Sequence, residues 1–329
     1  MSNQLTKNQR YTLLKLSNEF SDLEEVLERI VNDHHNFWQP LTAVKNIPEE
    51  VEHDEKNYLY KWDNFSSIEN ISFSDRVSMR FIVATASIES GTRLVKNKVT
   101  GELLPKRERL NISKVDTIFI ESDGEVYCII STFNFYELKR VEKLIGVDYI
   151  DPIPARFQAD SDLFQWLFYK YIKNEAELND EICLDSINGF TGTVISEENK
   201  FEGQSEQIAD LIIAKAFLTN GYPLTSVRLS LQTYEGYASF YLEKLSNPKE
   251  LQINVAKLST IQPMMESVEI EISMPIYIYF YLIPTLVSLY KSSEEEFASQ
   301  NKNSFLSEIG IEVIKTIMAR NDIKINDIK

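Results

Sequence analysis

Apolar residues in this chain recur at two different spacings, and each change of spacing predicts a change of element. Leu23, Val26, Leu27 and Ile30 repeat every three to four residues, which predicts an amphipathic helix over 21–33. Ser21, followed by Glu24, offers it a capping box. Residues 36–75 hold no sustained period and read as loops with short helical pieces. From 78 to 89 the run SMRFIVATASIE predicts a buried strand. Asp116–Glu121 and Val126–Ile130 are apolar runs separated by Ser-Asp-Gly-Glu. Asp-Gly between such runs predicts a tight hairpin, because that turn needs positive φ. Phe135–Leu144 returns to helical spacing and stops near Gly146.

The segment 147–154 contains Pro152 and Pro154, which disfavour helix and remove two backbone donors. It predicts a linker between domains at 1–150 and 151–329. Beyond it, Leu163, Phe164, Leu167, Tyr171 and Ile172 form the stripe of a helix capped by Asp160 or Ser161. Residues 184–203 hold Asn188-Gly189, Gly192 and Gly203, and read as turns around a short strand. A helix follows over 205–219, with Ile208, Leu211, Ile212 and Phe217 inward and a stop at Asn220-Gly221 before Pro223. Strands are expected at 225–233, 236–243, 251–256 and 267–273, the last from the alternation VEIEI. Their close spacing favours an antiparallel meander. Ser293 and Glu296 form a second capping box, and Leu306, Ile309, Val313, Ile314 and Ile317 align along a terminal helix. The fold class expected is α+β. It has a small antiparallel sheet with helices in the N-terminal half and a meander packed on helices in the C-terminal half.

Residues 272–290 are nineteen without a charge, near the length that spans a bilayer. They include two prolines and four tyrosines, and their flanks are acidic, so a buried core element explains them better.

Composition narrows the function. The chain is 43% hydrophobic and 26% charged, the profile of a globular protein. Cys128 and Cys183 give no disulfide framework, and MSNQLTKNQRYTLLK has no apolar signal core. A cytoplasmic setting is expected. His34, His35 and His53 form no HExxH or HxH, there is no CxxC, and the adjacent pair diverges by about 100° on a helix. Neither GxxxxGK[ST], GxGxxG nor GxSxG occurs, which counts against P-loop, Rossmann and serine-hydrolase chemistry. Asp160-Ser-Asp162 reads as a helix start before it reads as a cation site. Asp116 with Glu137 and Lys139 has the composition of a metal-dependent nuclease, but Glu137 and Lys139 fall in a predicted helix. No catalytic residue, metal ligand or cofactor is assigned.

The net charge is −16, yet residues 91–114 hold seven basic residues against two acids, a local +5. Such a segment on an acidic body can follow a phosphate backbone. The candidate phosphate contacts are Arg93, Lys96, Lys98, Lys106, Arg107 and Arg109.

The order of elements over 78–145 carries Asp116, Gly124, Tyr127, Asn134, Phe135 and Leu138. In that order it resembles the domain found in the soluble component of Kiwa anti-phage defence. The resemblance covers about a fifth of the chain. It implies a DNA-binding bacterial defence subunit that associates with a membrane partner. The function expected is therefore a non-enzymatic nucleic-acid-binding subunit, with a protein partner and self-association. The alternatives are a metal-dependent nuclease or phosphoesterase, and an acidic protein-interaction subunit with no nucleic-acid affinity.

Overall fold

The computed structural model describes residues 4–41, 51–73, 77–194, 199–205, 212–261 and 268–324. The protein is α+β, with two compact units: Gln9–Pro152, and Ile153–Lys329 together with Met1–Asn8. The chain thus passes from one unit to the other between Pro152 and Ile153, and its first eight residues belong to the later unit.

The first unit has eight strands among its described residues. They are β1 (Gln9–Leu16), β2 (Asn36–Pro40), β3 (Asn57–Phe65), β4 (Glu69–Phe73), β5 (Val77–Gly91), β6 (Leu110–Ser122), β7 (Glu125–Ser131) and β8 (Ile150–Asp151). The order is β1-β7-β6-β5-β3-β2, every pair antiparallel, with β4 also on β5 and β8 on β1. The sheet is therefore much larger than expected, because 36–75 supplies β2, β3 and β4. The signal there was an alternation of Tyr58, Tyr60 and Trp62, whose amphipathic rings hid the period.

Helices α1 (Leu23–Arg29) and α3 (Phe135–Ile145) cover one face of this sheet, and α2 (His53–Lys56) is a single turn before β3. The core joins Leu23, Val26 and Ile30 to Leu138, Val141 and Leu144 over Ile82, Ala84, Ala86, Phe119 and Cys128. The inward residues of β5 fall at every second position, as a pleated strand requires. Burial of each large aliphatic side chain stabilises by about 1.5–3 kcal/mol. The cap of α1 lies one residue later than expected. Asp22 accepts from the Glu25 N–H at 2.9 Å, while the Glu25 carboxylate accepts from the Ser21 N–H at 2.7 Å. The β6–β7 hairpin follows the expectation: Asp123 and Gly124 take φ of 54° and 73°. Asn134 caps α3, and Gly146 ends it at φ 106°.

The second unit carries α4 (Ser161–Ile172), β9 (Ile182–Val194), β10 (Asn199–Gln204), α5 (Ile212–Thr219), β11 (Leu224–Thr233), β12 (Gly236–Glu243), β13 (Leu251–Val255) and β14 (Thr260–Ile261). After these come α6 (Ile270–Tyr277), α7 (Ile283–Glu296) and α8 (Lys302–Arg320). The antiparallel order is β10-β9-β11-β12-β13, with β14 on β12, so the meander of β11, β12 and β13 is present.

Four expectations fail here. Residues 184–203 form two strands, not turns. Gly189 and Gly192 sit inside β9 because neighbours approach the backbone: a Cβ at Gly192 would lie 2.3 Å from the Phe217 ring. VEIEI is not a strand, since α6 starts at Ile270. Ser293 starts nothing; it lies inside α7 and donates back to the Leu289 and Tyr290 carbonyls. On α8 the buried line is Phe305, Ile309 and Val313, while Ile311, Ile314 and Ile317 are exposed. Ile208 and Leu211 lie outside the described residues.

From Ile270 to Arg320 the backbone stays helical through two π turns, Ile278–Leu282 and Phe297–Asn301. Pro284 follows the first of them, where its ring and missing donor would disturb a regular α-turn. This helix is long and apolar enough to cross a membrane. Most of its apolar stretch is buried within the unit, including Met274, Ile276, Ile278, Leu282 and Leu286. Its tyrosines reach polar partners: Tyr277 donates to Thr233 at 2.9 Å, Tyr279 to the Leu251 carbonyl at 2.9 Å, and Tyr281 to Glu181 at 2.6 Å. A charge-free run whose tyrosine hydroxyls find partners is the chemistry of a buried core helix.

Candidate nucleic-acid interface

The basic segment is a closed finger, not a slack loop. Strand β5 ends at Gly91 and β6 begins at Leu110, and the Thr92 N–H continues the ladder to the Arg109 carbonyl at 2.8 Å. Further out, Leu104 N–H donates to Val95 at 3.0 Å, and Asn97 N–H to Glu102 at 2.9 Å. Lys96 and Leu103 face each other as an antiparallel bridge. The Asn97 side chain accepts from the Val99 and Thr100 N–H groups, and Gly101 takes φ 73°, so the tip closes on itself. Val99, at that tip, is 93% exposed.

The base of the finger is pinned by charge. The Lys106 ammonium lies 2.6 Å from Asp54 and 2.7 Å from Glu89, and 5.6 Å from the Trp38 ring centre. Burial disfavours that ammonium. Its hydrogen bonds to Asp54 and Glu89 outweigh the burial and raise its pKa above the ordinary lysine value. Arg109 is 0% exposed. Its Nε donates to the Leu104 carbonyl at 2.8 Å, and its guanidinium reaches both the Glu55 carbonyl and, at 2.9 Å, the Glu55 carboxylate. The Glu55 carboxylate also accepts the Lys106 backbone N–H at 2.8 Å. One acid on α2 thereby ties two points of the finger.

This divides the six sequence-predicted residues. Arg93, Lys96, Lys98 and Arg107 are exposed, and Arg107 has only a 4.0 Å approach to Glu108. Lys106 and Arg109 are buried in ion pairs and do not face solvent, a correction to the expected set. Of the other charges in the segment, Lys114 lies 2.8 Å from Asp63 and holds that carboxyl below the usual range by hydrogen bonding. The partners Asp54, Glu55 and Glu89 were missed. For Asp54 and Glu55 the one sequence signal was the acidic run VEHDE, which reads as a solvated loop, while Glu89 lies near the end of the β5 run.

The other candidate residues have local structural partners. Asp116 accepts from Thr85 at 3.0 Å, Glu137 from Thr132 at 2.7 Å, and Lys139 pairs with Glu142 at 2.9 Å. Among the described residues, no three His, Cys, Asp or Glu side chains gather in a metal-binding arrangement. Asp160 caps α4 by accepting from the Leu163 N–H at 2.8 Å, and Asp162 pairs with Lys302 at 2.7 Å. His35 Nε2 lies 2.6 Å from the Leu144 carbonyl, and His53 meets Trp38 edge-on. Cys128 is buried, which pushes its thiol pKa up and keeps it protonated.

No protein-family model matches this chain, and no curated protein matches it in sequence. The positions that carried the resemblance have folding roles of their own. Gly124 makes the turn, Tyr127 is buried with its hydroxyl 2.5 Å from Glu125, Asn134 caps α3, and Leu138 fills the core. Phe135 is the exception, since it is exposed.

Proposed function

We propose that this chain is a non-enzymatic nucleic-acid-binding subunit that grips a phosphate backbone with the finger 92–109. The observation that carries the reading is the separation of charge along that finger. Two cations are buried to fix its base, and Arg93, Lys96, Lys98 and Arg107 are held in solvent. A closed finger loses less conformational freedom on binding than a slack loop, so more of each phosphate contact appears as affinity. The acidic remainder of the chain repels a polyanion and favours the finger for phosphate contact. The setting, a bacterial anti-phage defence system with a membrane-associated protein partner, rests on the resemblance of 78–145.

The test is fluorescence anisotropy with labelled DNA and RNA, comparing wild type with Arg93→Glu, Lys96→Glu, Lys98→Glu and Arg107→Glu combined. Loss of binding in the variant supports the reading. Unchanged affinity refutes it.

A further inference from the structure

From Phe133 to Tyr136 the first unit exposes three large aromatic side chains within four residues. Phe133 is 54% exposed, Phe135 60% and Tyr136 69%. This contrasts with Phe20, Phe73, Phe81 and Phe119 of the same unit, all buried. Exposed apolar surface of this kind marks interaction sites when it is contiguous.

The segment is rigid. Thr132 Oγ1 accepts from the Asn134 N–H at 3.0 Å and donates to Glu137 at 2.7 Å. Asn134 then accepts from the Tyr136 N–H at 2.9 Å and opens α3. The rings therefore project from a capped helix start. The Phe135 and Tyr136 ring centres lie 5.9 Å apart at 72°. Cations accompany them: the Arg10 guanidinium stands 5.5 Å from the Phe133 centre, and the Lys139 ammonium 5.5 Å from that of Phe135. Lys139 is itself paired with Glu142 at 2.9 Å, and Glu137 accepts from Thr132.

The position relative to the finger follows from strand register. Ser131, just before the aromatic segment, pairs with Asp116 on β6, and the finger closes at Leu110 on the same strand. Six residues of strand span about 20 Å.

We infer that Phe133, Phe135 and Tyr136 form a stacking platform for the bases of single-stranded nucleic acid whose phosphates lie on the finger. The inference rests on the nucleic-acid reading above and adds strandedness to it. Base faces are hidden in a duplex and open in a single strand, and exposed aromatic rings on a capped helix start offer an unpaired base a π face to stack on.

The experiment measures binding of labelled oligo(dT) and of a labelled duplex to the full-length protein. Three proteins are compared: wild type, the triple variant Phe133→Ser, Phe135→Ser, Tyr136→Ser, and the finger reversal. All three rings are exposed, so the triple variant should fold, checked by its thermal transition. Tyr136→Phe alone, which keeps the ring, should bind like wild type. The expected result is a wild-type preference for oligo(dT). The triple variant should lose it by about 5- to 150-fold per engaged ring while keeping its duplex affinity. The finger reversal should weaken both ligands. Unchanged oligo(dT) binding by the triple variant overturns the inference and leaves the finger standing. A wild type that binds duplex alone does the same. Absence of binding to either ligand overturns both readings.

Discussion

The base and the tip of the finger use the same residue types for opposite ends. At the base, Lys106 and Arg109 are withdrawn from water and held by Asp54, Glu89 and Glu55. At the tip and flanks, Arg93, Lys96, Lys98 and Arg107 stay hydrated. The local excess of +5 therefore overstates what a ligand meets. Neutralisation by acids distant in sequence removes two of the six candidate contacts. A charge run read from sequence is an upper bound on a binding surface, because its partners are set by the fold.

The contrast predicts that base substitutions alter stability and tip substitutions alter binding. The largest effect belongs to Arg109→Ala. It breaks the hydrogen bonds to Leu104 and Glu55 and empties a fully buried volume, so it should cost about 2–4 kcal/mol in urea unfolding of the full chain. Arg109→Lys should recover little of this, since an ammonium cannot reach the Leu104 carbonyl and both Glu55 oxygen groups in one plane.

A smaller effect should appear at alkaline pH. The folded-state pKa of Lys106 is raised, so its stabilisation is complete below the ordinary value of 10.5 and is lost as pH climbs through the folded value. Limited proteolysis of the finger should accelerate above pH 10.5, and a Lys106→Met protein should not show that increment. If both proteins respond alike, the base is not held by that ion pair.

The smallest effect on stability should come from the fourfold tip reversal. It touches exposed side chains only and should move unfolding by no more than about 0.5 kcal/mol per site. A large loss of stability there would erase the distinction between tip and base.

Much of the first unit was legible where local chemistry decides the outcome. Asp123-Gly124 forced the hairpin, Asn134 and Gly146 bound α3, and the β5 run marked the long strand. Legibility failed where distant packing decides. Gly189 and Gly192 read as turns because the approach of Tyr241 and Phe217 has no local signal. VEIEI alternates like a strand yet leads into a helix whose identity comes from burial over the following residues. The site divided in the same way. Positive residues were visible in sequence, but their exposure depended on Asp54 and Glu55, some fifty residues earlier. Exposed Phe135 and Tyr136 were read only as the start of a helix and Phe133 was not singled out, since a helix period does not reveal which rings lie outside the core.

The account turns on how many cations meet phosphate. The direct measurement is the slope of log affinity against log salt for duplex DNA. Four exposed cations predict a slope no steeper than about −3.6, and the full set of six would reach about −5.4. A slope near the first value that collapses in the Arg93, Lys96, Lys98 and Arg107 reversal is the predicted result. A slope near the second, or one that survives the reversal, would contradict the division of the finger into a buried base and a binding tip.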